Sequence, residues 1–531
     1  MNEYFLPLSR KRNFNQPYFY NMKKNLFLSV TLSFVCSVAL PQNISIDPTY
    51  GTNGYATGAT NGRFVNVSAM LPNNKILVAG NANASTSYVI EKRMEDGTSD
   101  PTFGTNGYAN HNIVANSKDN ANAMQVLLDG KILIAGTSDS DLSSFGTYWD
   151  VFVSRLLADG SLDTSFGTNG HVKTNLGTDD DEVWEIATTS NGAIYVLAAT
   201  QSTVVETKLL KYDASGNLDT TFGTNGVQDL ALGADARITD LKINSLDELI
   251  ISGTRLNTST NQYEVIVIKL DAQGAYINSF GTSGSLIIND PLENYTTRDI
   301  IITADGGLLI IGAAGNNSLN TQMALYKLTA NGALDTTFNS TGYGYYNHGS
   351  SNYGVTFSYS IAQLPDGSYI AQADIIGNNN YDLLLLNIGE NGVLVNSFGN
   401  NGRFIVQRST HQDYSRQVLL QDDGKIVVVG LDTDATTRRT MFVRFKDAYT
   451  LSNTYANQLP IAVFPNPFTD QIGVTSKTKL SKMTLFNTLG QQLRTVLKKS
   501  FIDTSNLPSG TYFLKIEDTM GSSSTYQLIK E

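Results

Sequence analysis

The nine-residue phrase LDTSFGTNG at 162–170 returns as LDTTFGTNG at 218–226 and, in worn form, as LDTTFNSTG at 334–342. Aligning its central aromatic along the chain gives Tyr50, Phe103, Phe166, Phe222, Phe280, Phe338 and Phe398, at spacings of 53, 63, 56, 58, 58 and 60 residues. A second phrase, clearest as LLDGKILIAG, keeps the same beat and ends at Gly80, Gly136, Ala198, Gly253, Gly312, Ala373 and Gly430. A period of this length excludes one ordinary core. It demands like units that each bury a face against the next.

Each unit reads as four strands. An apolar strand such as AMQVLL leads through Asp-Gly or Asn-Gly into KILIA, which is apolar at nearly every position and so is expected to be covered on both faces. Asp-Gly and Asn-Gly suit a type I′ hairpin turn, where both central residues take positive φ. Low charge, 45 glycines, 26 tyrosines and 23 phenylalanines fit an all-β chain. Sheets covered on both sides and repeated about every 58 residues predict a seven-bladed β-propeller over residues 47–447. The phrase aromatics would fill the seams between blades. Asp47 to Gly54 carry the phrase with no strand of their own before it, and the last unit, ending at Asp447, has no phrase after it. Joining the two would complete the seventh blade and remove an open edge.

The repeats resemble the delta-60 family of β-propellers, which implies the fold and no activity. Ile277 and Val395 stand where the phrase has Asp, and Asn339 where it has Gly. Those blades are expected to keep the aromatic packing and lose a turn hydrogen bond.

The ends read as addresses. Met22 to Leu40 has a basic start, an apolar run and a small-residue exit, the pattern of a signal peptide within residues 1–41, with Met22 the expected start. Cys36, the only cysteine, lies inside it, so the exported chain would hold no disulfide and no transmembrane helix. Residues 448–460 read as a polar linker. Residues 461–531 alternate like a small Ig-like β-sandwich. Here FPNPF (Phe464 to Phe468, containing Pro465, Asn466 and Pro467), LPSGTYFLKI (containing Gly510) and the terminal QLIKE (containing Lys530) resemble the type A C-terminal sorting domain of the type IX secretion system. The resemblance implies handling by that machinery in a Bacteroidetes-like bacterium, cleavage near the domain's start, and delivery to the cell surface or the medium.

Between these ends, 24 basic residues face 42 acidic ones, a net charge of −18 that disfavours nucleic acid. There is no G-x-S-x-G elbow, H-E-x-x-H, P-loop or complete EF-hand, and no cofactor is expected. His111, His171, His348 and His411 fall at different phases and read as unrelated surface histidines. One charged set does keep phase: Arg63, Asp119, Asp181, Arg237, Tyr295, Thr356 and Asp413 lie ten residues before the turn position. If they begin equivalent strands, Arg63, Asp119, Asp181 and Asp413 would form a binding site at one channel mouth, able to hold calcium or sugar hydroxyls. The reading is a secreted or cell-surface binding or display protein whose partner is a glycan or a surface protein. The alternatives are a polysaccharide-acting hydrolase or lyase with carboxylates at the mouth, and a scaffolding protein with no soluble ligand.

Overall fold

The computed structural model describes residues 44–446 and 461–530, apart from 59–62, 83–86, 115–116, 140–147, 202–204, 234, 290–294, 316–320, 350–353, 378–379, 408–411, 434–437, 477–479, 488–491 and 519–522. The expected signal segment and linker lie outside the described residues. What is described is all-β with propeller-like sheets.

Residues 63–446 form seven antiparallel sheets in chain order among the described residues. Unit two is representative: Asp119–Val126, Ile132–Asp139, Trp149–Leu156 and His171–Thr174 pair in succession. Its second strand is buried along nearly its whole length, as expected of a strand with a layer on each side. The first strands are Arg63–Met70, Asp119–Val126, Asp180–Thr188, Arg237–Ile243, Thr296–Ile302, Gly354–Gln363 and Gln412–Leu420. Each touches the next, and the last touches the first.

The connection from first to second strand spans five residues in all seven units. In six of them it departs from the expected type I′ turn, whereas in unit one Asn73 and Asn74 both take positive φ. In unit two Gly130 has φ of 83° while Asp129 stays out of the positive region. Gly130 N donates to Leu127 O at 2.9 Å and Leu127 N to Lys131 O at 2.8 Å. A type I turn followed by a left-handed glycine bulge needs only one positive φ, which is why Asp precedes the glycine so comfortably.

The phrase is a connector between units. Asp163 Oδ1 accepts from Ser165 N at 3.1 Å and Ser165 Oγ at 2.6 Å, closing a local turn. The same bonds form at Asp100, Asp219 and Asp335, whereas Ile277 and Val395 have no carboxylate to make them. Gly167 N then reaches Ser215 O of the next unit at 2.9 Å. The aromatic tucks under that neighbour's turn: a Cβ on Gly216 (φ 88°) would sit 2.8 Å from the Phe166 ring. All seven phrase aromatics are buried, Phe280 and Phe398 included. Asn339 takes the left-handed φ of the glycine it replaces and still bonds Asn391 O.

Asp163 also bonds its own third strand, with Arg155 Nε donating to Oδ2 at 2.8 Å and the guanidinium 4.7 Å from the Phe166 ring. The N-terminal phrase repeats this arrangement across the length of the chain. Arg444 Nε donates to Asp47 Oδ2 at 2.9 Å, and the guanidinium lies 4.7 Å from Tyr50. Asp47 N bonds Arg444 O, Arg444 N bonds Gly54 O, and Tyr55–Thr57 pairs with Met441–Val443. Tyr50 sits under Gly97 of unit one, as Phe166 sits under Gly216. Residues 45–57 therefore lie on the last sheet as any other unit's phrase and fourth strand lie on theirs.

Residues 461–530 form a separate pair of sheets. Phe468, Ile472, Met483, Leu485, Ile502, Tyr512, Leu514 and Leu528 make up most of their core.

Asp47 and Arg444 are both almost fully buried, so removing one partner strands a charge. Asp47→Ala should cost about 3–5 kcal/mol in denaturant unfolding, matching Asp163→Ala within about 1 kcal/mol. A loss below about 1 kcal/mol for Asp47→Ala alone would mean that the N-terminal phrase is not held as the internal ones are.

Candidate functional site

Of the phased charged set, Asp119 and Asp181 have described side chains among the four proposed ligand residues; those of Arg63 and Asp413 lie outside the described side chains. Both aspartates begin first strands and both are buried, 2% and 4% exposed. Each serves the loop entering its own strand. Asp119 accepts from Ile113 N at 2.9 Å and Ser117 Oγ at 2.8 Å. Asp181 accepts from Leu176 N at 3.2 Å through Oδ2, while its Oδ1 has no partner. Burial pushes both carboxyls up. Asp181 reaches about 7, helped by the charges of Asp150 and Asp180.

Arg237 is out of phase. Asp119 faces Ser138 and Asp181 faces Thr200, two residues beyond the second-strand Gly136 and Ala198, but Arg237 faces Thr254, one residue beyond Gly253. The unit-four turn places Asp247, φ 59°, where five of the other units have glycine and unit one has Asn74, so the alignment on Asp slips by one. Ala236 is the true equivalent and is buried, whereas Arg237 is exposed and pairs with Asp235 at 3.0 Å.

A different set of carboxyls converges further along the first strands, where sequence periodicity hides it. Each first strand carries a register shift, as between Val183 and Glu185, Ile238 and Asp240, Thr297 and Asp299, and Ser415 and Gln417. A bulge re-aims the residue that follows it. Asp240 Oδ2 thereby accepts from Ile300 N of the next unit at 3.0 Å, and Asp299 Oδ2 from Ile361 N at 3.2 Å. Gln417 Oε1 accepts from Ser68 N at 2.9 Å, joining the last unit to the first. Lys242 Nζ lies 2.6 Å from Asp240 and 3.9 Å from Asp299. Burial raises Glu185 and Asp299 well above the ordinary carboxylate range, against the pull of Lys242. Burial disfavours the Lys242 ammonium too, but Asp240, Asp299 and Glu185 more than offset it and hold it charged. Among the described residues, no three His, Cys, Asp or Glu side chains are grouped to hold a metal ion.

The described histidines are not plain surface groups. His111 Nε2 donates to Gly160 O at 2.8 Å, and His171 Nδ1 is 2.7 Å from Ser154 Oγ. His348 is buried, and His411 lies outside the described residues. Burial depresses His171 to about 4, aided by the neighbouring His111.

In the C-terminal sheets the motif residues stitch the domain's two ends together. Asn466 Oδ1 accepts from Ile529 N at 2.9 Å, and Phe468 N donates to Ile529 O at 2.8 Å. Lys530 donates to Thr469 O, lies 5.7 Å from the Phe468 ring, and faces Gly510 across the strand pair. The peptide bonds before Pro465 and Pro467 are both cis.

These shifts fix opposite pH responses. Asp181 binds its proton more tightly when folded, so between about pH 4 and 7 the folded state holds more protons and stability falls as pH rises. Hydrogen bonds from Thr49 and the Arg444 charge hold Asp47 below its usual value despite burial, so its contribution is lost as pH falls below about 4. Asp181→Asn should flatten the decline in Tm between pH 5 and 8 and leave the acid limb unchanged. An unchanged decline would place the buried proton elsewhere.

Residues 462–531 match the secretion system C-terminal sorting domain, and residues 128–166, 189–222 and 303–338 match a β-propeller domain of unknown function, DUF5122. None of the curated proteins matches the chain. Among solved structures, Drosophila Semaphorin 2a is 7% identical with a TM-score of 0.43, covering 90% of this chain and 98% of its own. The β-propeller domain of the Trilobed protease from Pyrococcus furiosus is 9% identical at a TM-score of 0.38, covering 74% and 98%. A protein of unknown function from Dyadobacter fermentans is 9% identical at 0.37, covering 61% and 93%. Among the described residues no helix is long and apolar enough to cross a membrane. The chain carries β-propeller repeats of the delta-60 type followed by a type IX secretion C-terminal sorting domain, which implies a secreted or cell-surface protein.

Proposed function

We propose that the seven sheets are the blades of one propeller, closed on the last blade by residues 45–57, and that the exported molecule is a binding or display protein. The observation that carries this reading is the joining of a sorting domain to a repeat scaffold in which one end of every unit is invariant and the other is not. First-to-second-strand turns are five residues long throughout, whereas second-to-third-strand loops run from two to nine residues. Variable loops on a rigid framework are where recognition resides. Asp119 and Asp181 would hold the loops on that variable face in place, from beneath, and Arg63 and Asp413 belong to the same set.

A hydrolase is the second reading, and one observation favours it. Burial holds Glu185 and Asp299 well above the ordinary carboxylate range, and Asp240 beside them pairs with Lys242 at 2.6 Å. Glycoside cleavage uses a pair of carboxyls, one of them with its pKa raised.

In a host with type IX secretion, the full chain should reach the cell surface or medium, while a chain ending at residue 461 should be retained inside. Equal export of both would remove the sorting role. If the second reading holds, Glu185→Gln should abolish polysaccharide cleavage by the purified protein. If the binding reading holds, neither the native protein nor the variant will cleave, and both will bind alike.

A further inference from the structure

We infer that the outer rim of the first three units holds a two-groove site for a linear, neutral oligosaccharide. This rests on the binding reading above for a glycan-binding role, gives it a ligand class, and places the ligand against the phrase connections instead of the variable loops. The larger groove, about 670 Å3, lies between Gly167–Asn169 and His171–Lys173 of unit two on one side and Gly216–Leu218 of unit three on the other. The smaller, about 390 Å3, occupies the corresponding seam one unit earlier. It is walled by Tyr108–His111 and by the turn Asp159–Ser161. Both volumes fall in the range of small-ligand sites, roughly 300–1,000 Å3.

The grooves are consecutive. The outer strand Tyr108–His111 lines the first, and Ile113 and Val114, two residues further along the chain, wall the second. A ligand with a repeating backbone can therefore present like groups to like seams.

The linings fix the chemistry. The larger groove sets Val172, Leu218, Ile113 and the exposed Val114 against the amide of Asn169, the hydroxyl of Thr168 and the imidazole of His171. A sugar ring has the same two characters, an apolar C–H face and a hydroxyl edge. The charges at hand are already satisfied. Lys173 Nζ is 2.9 Å from Asp150, and Asp159 Oδ1 accepts from both Ser161 N and Ser161 Oγ. His171, held low by burial and by the neighbouring His111, is uncharged at neutral pH. Among the described lining residues the Lys173 ammonium is already paired and does not offset the desolvation of a carboxylate, which favours neutral sugars over uronic acids.

The test is calorimetric titration of the purified protein with neutral and uronic-acid oligosaccharides of increasing length. Two variants leave the core untouched. Asn169→Gly keeps the left-handed backbone (φ 54° in the native chain) and removes the amide, and Val114→Arg fills the larger groove from its exposed wall. Leu246→Arg, at an exposed turn of unit four, is the control. The expected result is binding of neutral chains that tightens with length, weakened tenfold or more by Asn169→Gly and by Val114→Arg at unchanged Tm, and unaffected by Leu246→Arg. Binding that ignores both groove variants, or that selects uronic acids, overturns the grooves as the site while leaving a binding protein. Binding of no glycan overturns the inference. Whether the binding reading itself then fails is decided by capture of a surface protein through the variable loops.

Discussion

Arg444 holding Asp47 is the contact on which the architecture turns. Units one, two and three contain their own version: a basic third-strand residue grips the phrase aspartate and lies over the aromatic, as Arg155 does for Asp163 and Phe166. Those pairs are local, eight residues apart, and form at small loop-closure cost. The Asp47–Arg444 pair spans 397 residues. It must gather every unit before it can form, so its stabilisation comes after a much larger entropic cost has been met. Its burial explains how it succeeds: the ion pair is sheltered from solvent and reinforced by hydrogen bonds from Arg444 to Thr49 and to Glu95 O.

Around that contact the scaffold uses two independent sets of stitches. On the outer side, phrase aromatics pack under the next unit's turn glycine. On the inner side, bulged first strands send a side chain to the next unit's backbone, as Asp240 does to Ile300 and Gln417 to Ser68. Where the inner stitch is a carboxylate, burial leaves a concentration of acid that Lys242 partly compensates. The same device that holds units together thus gathers Glu185, Asp240 and Asp299 around Lys242.

The repeat, the four-strand unit and the seam aromatics were legible because a 58-residue period and a buried ring at one phase leave clear marks in sequence. The joining of Asp47 to the last unit was legible from complementary ends. The gripping cation of units one to three has an equally regular place: Lys92, Arg155 and Lys211 each stand eight residues before the phrase aspartate. The inner carboxyls were not legible, since a bulge breaks the alternation that would flag them. Arg237 was misplaced because its unit writes Leu246-Asp247 where five others write Asp-Gly or Asn-Gly and unit one writes Asn73-Asn74. Asp119 and Asp181 stand out in the sequence by phase. Phase could not show that they turn inward to their own loops, because that depends on which backbone amides the loops leave unpaired.

Amide hydrogen exchange at Arg444 tests the closure most directly. Its N–H donates to Gly54 O at 3.1 Å, as the N–H of Arg155 donates to Gly170 O at 3.0 Å. If the N-terminal segment completes the last sheet, the two amides will show comparable protection, approaching that of global unfolding. Exchange at Arg444 at the rate of an exposed edge strand, with Arg155 protected, would contradict a closed ring.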